Sequence, residues 1–240
     1  YDHVWMTEAL RGLVSGTLSV KVSHEGIHSG NSGGSIPSSF RIQRILLDRV
    51  EDSSSGKVTI PEMHVEIPEE VRDNAIALRE IVGDSIWEQF PTVDSLRQVS
   101  ETTEDMIVSM NWEPTLSIIG ADGIPSVQDA GNVLRTNTDL KLSFRIPPGV
   151  DSEYALARAK AILEEDPPYG AEVIFTPDSC ADGFHAPPLE GPVSQAINEA
   201  SMALTGLPPL ATWTGGTIPF MAMMQGKYPE AMFLCTGTSG

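Results

Sequence analysis

The segment 12–180 most constrains the fold of this chain, because strand and helix patterns alternate along it in a definite order. Residues 16–24 alternate apolar and polar side chains, a period of two that indicates a half-buried strand. A turn rich in glycine and serine follows at residues 26–34. An apolar stripe over residues 35–50, with Ser35 as the N-cap, then predicts a helix.

The remaining patterns of this segment complete the order of elements. Strands are predicted at residues 116–119, 140–146 and 172–175, and helices at 68–82, 94–110 and 151–165, the last capped by Asp151. The charge-rich stretch at about 52–112 is interpreted as an insertion on a sheet edge. Without it, the order strand, helix, strand, strand, helix, strand predicts an α/β fold of the ferredoxin-like, split βαβ type.

Residues 181–240 differ in character, with loops rich in glycine and proline between short elements. A helix is predicted at 192–204, ended by Gly206, and a buried strand at 231–235. The turn at 215–219 leads into a Met-rich helix, and a helix start of this kind exposes N–H groups that suit a carboxylate. A plain turn into a packed helix explains the same pattern equally well.

Charge and cysteine content exclude several classes of partner. The 33 acidic and 15 basic residues give a net charge of −18, and the basic residues do not cluster, which disfavours nucleic acid and anionic membrane surfaces. No apolar run approaches the roughly 20 residues of a membrane helix. Two cysteines, Cys180 and Cys235, are too few for a disulfide framework and favour a reducing, cytoplasmic compartment, while a single bridge between them stays open.

Residues 24–28 have the spacing of the zinc-binding motif H-E-x-x-H, which needs both histidines on one face of a helix. Gly26 and the glycines that follow it oppose a helix here. In an extended segment His24 and His28 would lie about 13 Å apart, too far to share one ion. An isolated zincin site is therefore the least favoured hypothesis. The other histidines lack neighbouring ligands at a recognisable spacing and are predicted to lie on the surface: His3, His64 and His185.

Several short motifs occur along the chain in the order of a known family. They are Arg11-Gly12 before a strand, the glycine-rich residues 26–34, Gly131-Asn132-Val133-Leu134, Ser143-Phe144-Arg145-Ile146-Pro147 and Gly215-Gly216-Thr217-Ile218-Pro219. This series resembles the dinuclear zinc aminoacylase and dipeptidase family of metallopeptidases. Its members include carnosinase-like dipeptidases, glutamate carboxypeptidase, acetylornithine deacetylase and succinyl-diaminopimelate desuccinylase. The carnosinase-like and broad-specificity deacylase branches look closest.

The resemblance implies a catalytic α/β domain interrupted by a ferredoxin-like lid that forms the dimer interface. Residues 1–11 would then be the tail of the N-terminal catalytic segment, 12–180 the lid and dimerisation domain, and 181–240 a truncated C-terminal part of the catalytic domain. The family's zinc ligands and general-base glutamate have no matching positions here. Two zinc ions are expected in the intact enzyme and none in this chain, which we expect to be inactive by itself.

The resemblance assigns substrate binding to residues that match the family's motifs. His28 matches a lid histidine that reaches across the dimer to stabilise the oxyanion or the substrate carboxylate. Arg145 matches the arginine that grips the carboxylate, and Asn132 stands where relatives have Asn or Thr contacting the same group. Gly215, Gly216 and Thr217 match the glycine turn that completes the anion pocket. The alternatives are that His28 and Asn132 are only turn residues and that Arg145 is a structural arginine at a sheet edge.

The function implied by the resemblance is zinc-dependent hydrolysis of peptide or amide bonds, of the dipeptidase or N-acyl-amino-acid deacylase type. The expected ligand is a small peptide or N-acyl amino acid that bears a carboxylate, bound by a homodimer. The alternative from another class is a non-catalytic module for dimerisation or carboxylate binding.

Overall fold

A computed structural model describes residues 3–83, 85–187 and 189–237, which form three sheets with helices packed on them. The strands are β1 Trp5–Leu10, β2 Gly12–Lys21, β3 Ile27–His28, β4 Thr115–Asp122, β5 Val133–Leu134, β6 Asn137–Ile146, β7 Glu172–Ala181, β8 Phe184–His185 and β9 Leu210–Thr214. The helices are α1 Ser29–Ser32, α2 Ser39–Leu47, α3 Glu69–Val82, α4 Ser85–Glu88, α5 Thr103–Trp112, α6 Ser152–Glu164, α7 Gly191–Thr205 and α8 Pro219–Lys227.

A four-stranded antiparallel sheet of order β4-β6-β2-β7 forms the centre of the chain. The alternation that predicted a strand at 16–24 is confirmed, but β2 begins earlier, at Gly12, and pairs with β6 along its whole length. Gly16 allows β2 to approach β7 closely, because a Cβ at this position would lie 2.4 Å from the Phe175 ring. The backbone register of β2 against β7 shifts at the same point, between Ser15 and Gly16.

Helices α2 and α6 cover one face of this sheet and enclose the main hydrophobic core. Ile42 and Leu46 of α2 are fully buried against the strands, whereas Phe40 and Ile45, which belong to the predicted apolar stripe, are exposed. The predicted start of this helix at Ser35 is also wrong. Ser38 is the N-cap, because its hydroxyl accepts the Arg41 N–H at 3.2 Å.

The opposite face of the sheet is polar, and it carries Arg145. Along β6 the residues Leu142, Phe144 and Ile146 point into the core. The residues between them therefore point the other way, because successive strand side chains alternate between faces. On this polar face Lys141 pairs with Asp178 at 2.7 Å.

A second sheet, of order β8-β1-β9, lies beside the first and is connected to it directly, because β1 runs into β2 through Arg11. Helices α3 and α5 of the charge-rich stretch pack on this sheet, around Ala9 and Trp213. Helix α5 begins at Thr103 rather than at 94, since Thr102 caps it by accepting the Asp105 N–H at 3.1 Å.

The structure corrects the C-terminal prediction in part. Helix α7 ends at Gly206 as predicted, with that glycine in the left-handed region at φ 75°. The predicted strand at 231–235 is absent, and Met232 and Leu234 are exposed. Strand β8 pairs with β1 only at Ala9 and Leu10. Elsewhere along β1 the C-terminal segment makes two separate hydrogen bonds instead of a strand ladder: Thr7 N donates to Cys235 O at 2.7 Å, and the Thr236 hydroxyl donates to Trp5 O at 3.0 Å. Throughout the described ranges, no helix has the length and apolar character needed to cross a membrane.

Candidate functional site

Arg145 and Thr217 form the centre of the candidate site. Arg145 Nη1 donates to the Thr217 hydroxyl at 2.8 Å, and this hydroxyl donates in turn to the Arg11 carbonyl oxygen at 2.7 Å. Because a hydroxyl has one proton, its donation to Arg11 leaves only lone pairs for Arg145. The direction of both hydrogen bonds is therefore defined, and the two residues predicted to hold a carboxylate are brought together.

The position of each residue follows from the sheets. Arg145 lies near the end of β6, opposite Leu13 of β2 and Thr115 of β4, so hydrogen-bonded strands flank it on both sides. Thr217 lies in the turn between β9 and α8. Strand β9 pairs with β1, which continues into β2, and this connection brings the turn to the end of β6.

Of the two predicted glycines, only Gly215 is required by the local packing. A Cβ at Gly215 would lie 2.8 Å from Arg11 Nη2 and 3.1 Å from the Met110 carbonyl oxygen. At Gly216 a Cβ would meet only the Thr214 methyl, at an ordinary contact distance of 3.5 Å. The turn thus needs a glycine at 215, where a guanidinium packs against it, and nothing in the packing explains the glycine at 216.

Arg11 also belongs to this cluster, although from the sequence it was only part of the Arg11-Gly12 motif and no role was predicted for it. Its Nε donates to Gly215 O at 3.4 Å, and its Nη1 lies 3.2 Å from the Thr115 hydroxyl and 3.5 Å from Glu113 O. Burial, and after it the charge of Arg145, lowers the pKa of Arg11 to about 10. No local sequence signal indicated this role, because the side-chain partners of Arg11 lie far away along the chain.

The two guanidinium groups have no carboxylate partner among the described residues, where the ion pairs all involve other side chains. The nearby Glu113 carboxylate accepts a hydrogen bond from Ser109 instead, at 2.7 Å. A local excess of positive charge therefore exists in a chain whose net charge is −18. Such a place favours an anionic ligand.

His28 and Asn132 form a second group, separate from the first. His28 pairs with Val133 in the β3–β5 ladder, and Ser29 N donates to Asn132 O at 2.8 Å. The exposed His28 ring accepts the Gly30 N–H at Nδ1, at 3.1 Å, so in the neutral ring the proton is on Nε2. This Nε2–H is available as a donor to another molecule.

The two groups are attached to opposite ends of the four-stranded sheet. The β3–β5 pair follows the end where Lys21 lies opposite Asn137, and Arg145 lies eight residues further along β6. At about 3.4 Å per residue this length of strand is about 27 Å. No hydrogen bond links His28 or Asn132 to the Arg145 group within the part of the chain that the structure describes.

The structure tests the zincin hypothesis for residues 24–28, whereas the expected lack of a metal site in this chain stays a prediction. Residues 24–28 form a bend and the short strand β3 instead of a helix, so the zincin hypothesis loses its required framework. Across the described ranges, no group of three or more His, Cys, Asp or Glu side chains is placed to hold a metal ion. His64 is exposed as predicted, whereas His3 and His185 are half-buried, contrary to the prediction.

A cavity of about 810 Å³ lies between β1, α3 and α7; Arg145, Thr217, Arg11, His28 and Asn132 do not line it, and no sequence pattern indicated it. Glu8, Glu70 and His185 line it together with Trp213. Burial, and secondly the charge of Glu70, raises the pKa of Glu8. Burial lowers the pKa of His185, and Glu70 opposes that shift.

Known proteins are similar to this chain in sequence. The cysteinylglycine-S-conjugate dipeptidase of Corynebacterium striatum is 24% identical over 236 residues, which cover 98% of this chain and 50% of that protein. The Cys-Gly metallodipeptidase DUG1 of Saccharomyces cerevisiae is 24% identical and is matched over 97% of this chain and 50% of its own length. The chain thus spans about half the length of these curated relatives. No family model matches the sequence.

Solved structures show the same fold at low sequence identity. The dipeptidase Dug1p of Saccharomyces cerevisiae has a TM-score of 0.72 at 21% identity, over 93% of this chain and 47% of that one. Human carnosine dipeptidase 1 has a TM-score of 0.72 at 21% identity, over 93% and 48% of the two chains. The M20 family metallo-carboxypeptidase Sso-CP2 of Sulfolobus solfataricus has a TM-score of 0.65 at 16% identity, over 93% and 50%. The resemblance predicted from the ordered motifs is thereby confirmed: this chain is similar in sequence to Cys-Gly dipeptidases and shares the fold of carnosine dipeptidase 1.

Proposed function

We propose that this chain carries the part of a metal-dependent peptide or amide hydrolase that binds the substrate carboxylate, in an enzyme of the dipeptidase or N-acyl-amino-acid deacylase type. The observation that carries the proposal is the Arg145–Thr217 hydrogen bond in a cluster with two guanidinium groups and no carboxylate partner among the described residues. The similar proteins described above are dipeptidases, which supports the reaction class.

The chemistry of Arg145 suits the free carboxylate of a peptide. A guanidinium has five N–H donors in a planar fork, and Thr217 takes one of them. The remaining donors are sufficient to bind both oxygens of a carboxylate. Because Thr217 also donates to the Arg11 carbonyl, the plane of the fork is restrained before the ligand arrives, which lowers the entropic cost of binding.

The segment 12–180 is proposed to be a ferredoxin-like lid that also forms a homodimer, with residues 181–240 in the catalytic domain. A dipeptide is at most about 7 Å long, whereas about 27 Å of strand lies between the attachment of the His28 group and Arg145. Attachment at opposite ends of the sheet favours a role for His28 outside the Arg145 site of its own copy. In a dimer, the exposed Nε2–H of His28 would instead reach the Arg145 site of the second copy, where it would stabilise an oxyanion.

The metal of this enzyme class is not assigned to the described residues. Two zinc ions are implied by the family resemblance, but the side chains in these ranges do not provide a ligand set. We therefore propose that this chain alone does not hydrolyse peptides. The non-catalytic module is not favoured as an alternative, because similarity to dipeptidases extends over 98% of the chain. A cytoplasmic location stays a proposal based on the two free cysteines, Cys180 and Cys235.

Calorimetric titration with the dipeptide Ala-Gly and with Ala-Gly amide tests the carboxylate site. We call the ratio of the dissociation constants, amide over acid, the carboxylate preference. It is expected to be at least about 10 for the wild-type chain, which corresponds to about 1.4 kcal/mol, and close to 1 for Arg145→Gln. Arg97→Gln removes the same charge at an exposed position and should leave the preference unchanged. Equal affinity of the wild-type chain for both ligands would refute the carboxylate site.

The inactivity of the chain is tested separately by incubating it with Ala-Gly and zinc. No hydrolysis is expected beyond that of the buffer with zinc. Turnover that a chelator abolishes would show that the chain holds a complete metal centre, and the proposal of inactivity would be wrong.

A further inference from the structure

We propose that Arg11 is a positioning residue of the Arg145 carboxylate site, which holds the Gly215–Thr217 turn in place and supplies a second positive charge. The proposal rests on the proposed function only in that the Arg145 site binds a carboxylate. It assigns to Arg11 an action on the ligand through Arg145 and Thr217 and through its charge, without requiring direct contact.

Arg11 ties the turn at several points. Its N–H donates to Thr214 O at 3.3 Å, its Nε donates to Gly215 O at 3.4 Å, and its carbonyl oxygen accepts the Thr217 hydroxyl at 2.7 Å. The absence of a side chain at Gly215 leaves the room that the Arg11 guanidinium occupies. The main chain and the side chain of one residue therefore hold the same turn.

The other end of the Arg11 side chain reaches the strand that pairs with Arg145. Its Nη1 lies 3.2 Å from the Thr115 hydroxyl, and Thr115 is the residue of β4 directly opposite Arg145. The connections thus form a closed ring, from Arg145 to Thr217, to Arg11, to Thr115 and back to Arg145 through the strand pairing. A ring of this kind restrains the direction of the Arg145 fork more strongly than a single hydrogen bond would.

Arg11 also affects the site through its charge. Burial and the charge of Arg145 lower its pKa to about 10, so it remains a cation at neutral pH. Arg145 is the charged group that acts on it, and its other partners are the backbone carbonyls of Glu113 and Gly215 and the Thr115 hydroxyl. Two neighbouring cations without a carboxylate repel each other, and an anionic ligand relieves this repulsion. A carboxylate gains from this effect, whereas a neutral amide does not.

The test measures the carboxylate preference at pH 7 in Arg11→Gln and Arg11→Lys, with Arg145→Gln and Arg97→Gln as references. Arg11→Gln is expected to lower the preference about tenfold, mainly by weakening the binding of Ala-Gly. Arg11→Lys keeps the charge and is expected to lower it less than about threefold. A residue with a merely structural role would weaken the binding of Ala-Gly and of its amide equally, so that the ratio would not move.

A second measurement keeps the proposal falsifiable if Arg11→Gln does not fold. In Arg11→Lys, burial and Arg145 should lower the pKa of the new amine, which then loses its proton as the pH rises from 7 to 9. The carboxylate preference of this variant should therefore fall over that range, while that of the wild-type chain stays nearly constant. A constant preference in Arg11→Lys over that range would overturn the proposal.

The two proposals fail in different ways. If the wild-type chain binds Ala-Gly and its amide equally, the carboxylate site itself is wrong, and the role of Arg11 is wrong with it. If the wild-type preference is present and Arg145→Gln abolishes it, but Arg11→Gln retains it, only the role of Arg11 is refuted.

Discussion

Thr217→Val tests the hydrogen-bond chain that orients Arg145, because valine has nearly the shape of threonine and lacks the hydroxyl. That hydroxyl accepts from Arg145 at 2.8 Å and donates to Arg11 O at 2.7 Å. A hydrogen bond to a charged group contributes about 1.5–3 kcal/mol and a neutral one about 0.5–1.5 kcal/mol. Since the site is only partly buried and water replaces part of both bonds, the free energy of unfolding should fall by about 1–3 kcal/mol.

Urea denaturation followed by circular dichroism measures this change. The control, Thr217→Ser, keeps the hydroxyl and loses one partly buried methyl group, which should cost less than about 0.8 kcal/mol. Thr217→Val should also lower the carboxylate preference by about tenfold, because Arg145 is then free to turn away from its binding direction. If the valine variant unfolds within about 0.5 kcal/mol of the serine variant and retains the preference, the hydrogen-bond chain does not orient the site.

Three further predictions concern other parts of the molecule. Gly16→Ala should destabilise the chain by about 1–3 kcal/mol in urea denaturation, because the new methyl group would overlap the Phe175 ring, whereas Gly226→Ala in α8 should stabilise it by about 0.5–1 kcal/mol, since that position is open. Equal effects of the two substitutions would contradict the packing argument. Glu8→Gln should raise the melting temperature at pH 7 and leave it nearly unchanged at pH 4. The raised pKa of Glu8 means that the folded chain holds a proton above the ordinary value of 4.5, so stability falls as the pH rises through the folded-state pKa. A wild-type profile that rises between pH 5 and 7, with no change in Glu8→Gln, would exclude this contribution. In sedimentation equilibrium the chain should form a dimer, and a monomer at high concentration would count against the action of His28 on a second copy.

Elements with a clear local signal could be predicted from the sequence. The alternation in β2 and β6 predicted two central strands, and Asp151 predicted the start of α6, where its carboxylate accepts the Tyr154 N–H at 2.9 Å. Gly206 predicted the end of α7 because the left-handed conformation there favours glycine. In each case a residue of special geometry or a strict period determines the local structure.

Elements that depend on distant partners could not be predicted in this way. Strands β1 and β9 are parallel neighbours that lie about 200 residues apart along the chain, and neither shows a strict alternation. Residues 231–235 have strand-like composition, but they meet β1 through the single backbone hydrogen bond from Thr7 N to Cys235 O and form no ladder with it. The N-cap at Ser38 instead of Ser35 reflects the same limit, because several polar residues precede α2 and packing against the sheet selects among them.

The candidate site likewise contains residues that the sequence indicated and one residue that it did not. Arg145 and Thr217 could be proposed from motifs, and the structure places them in contact. Arg11 could not, because its role depends on Gly215 and Thr115, which lie about 204 and 104 residues away in sequence. Short motifs therefore indicate which residues carry the chemistry, whereas the residues that hold them in position become visible only in three dimensions.

The geometry of the carboxylate site depends on the hydrophobic core beneath it. Phe144 and Ile146, the neighbours of Arg145 in β6, are fully buried on the opposite face of the sheet. Because strand side chains alternate, a shift of one residue in the register of β6 would place Arg145 in the core and Phe144 at the site, and the buried pair strongly disfavours that shift. The backbone of Arg145 is thus held by core packing, while its guanidinium is directed by Thr217 and Arg11. An apolar substitution at Phe144 that leaves the sheet folded but loosens this packing should therefore weaken carboxylate binding without touching a polar residue.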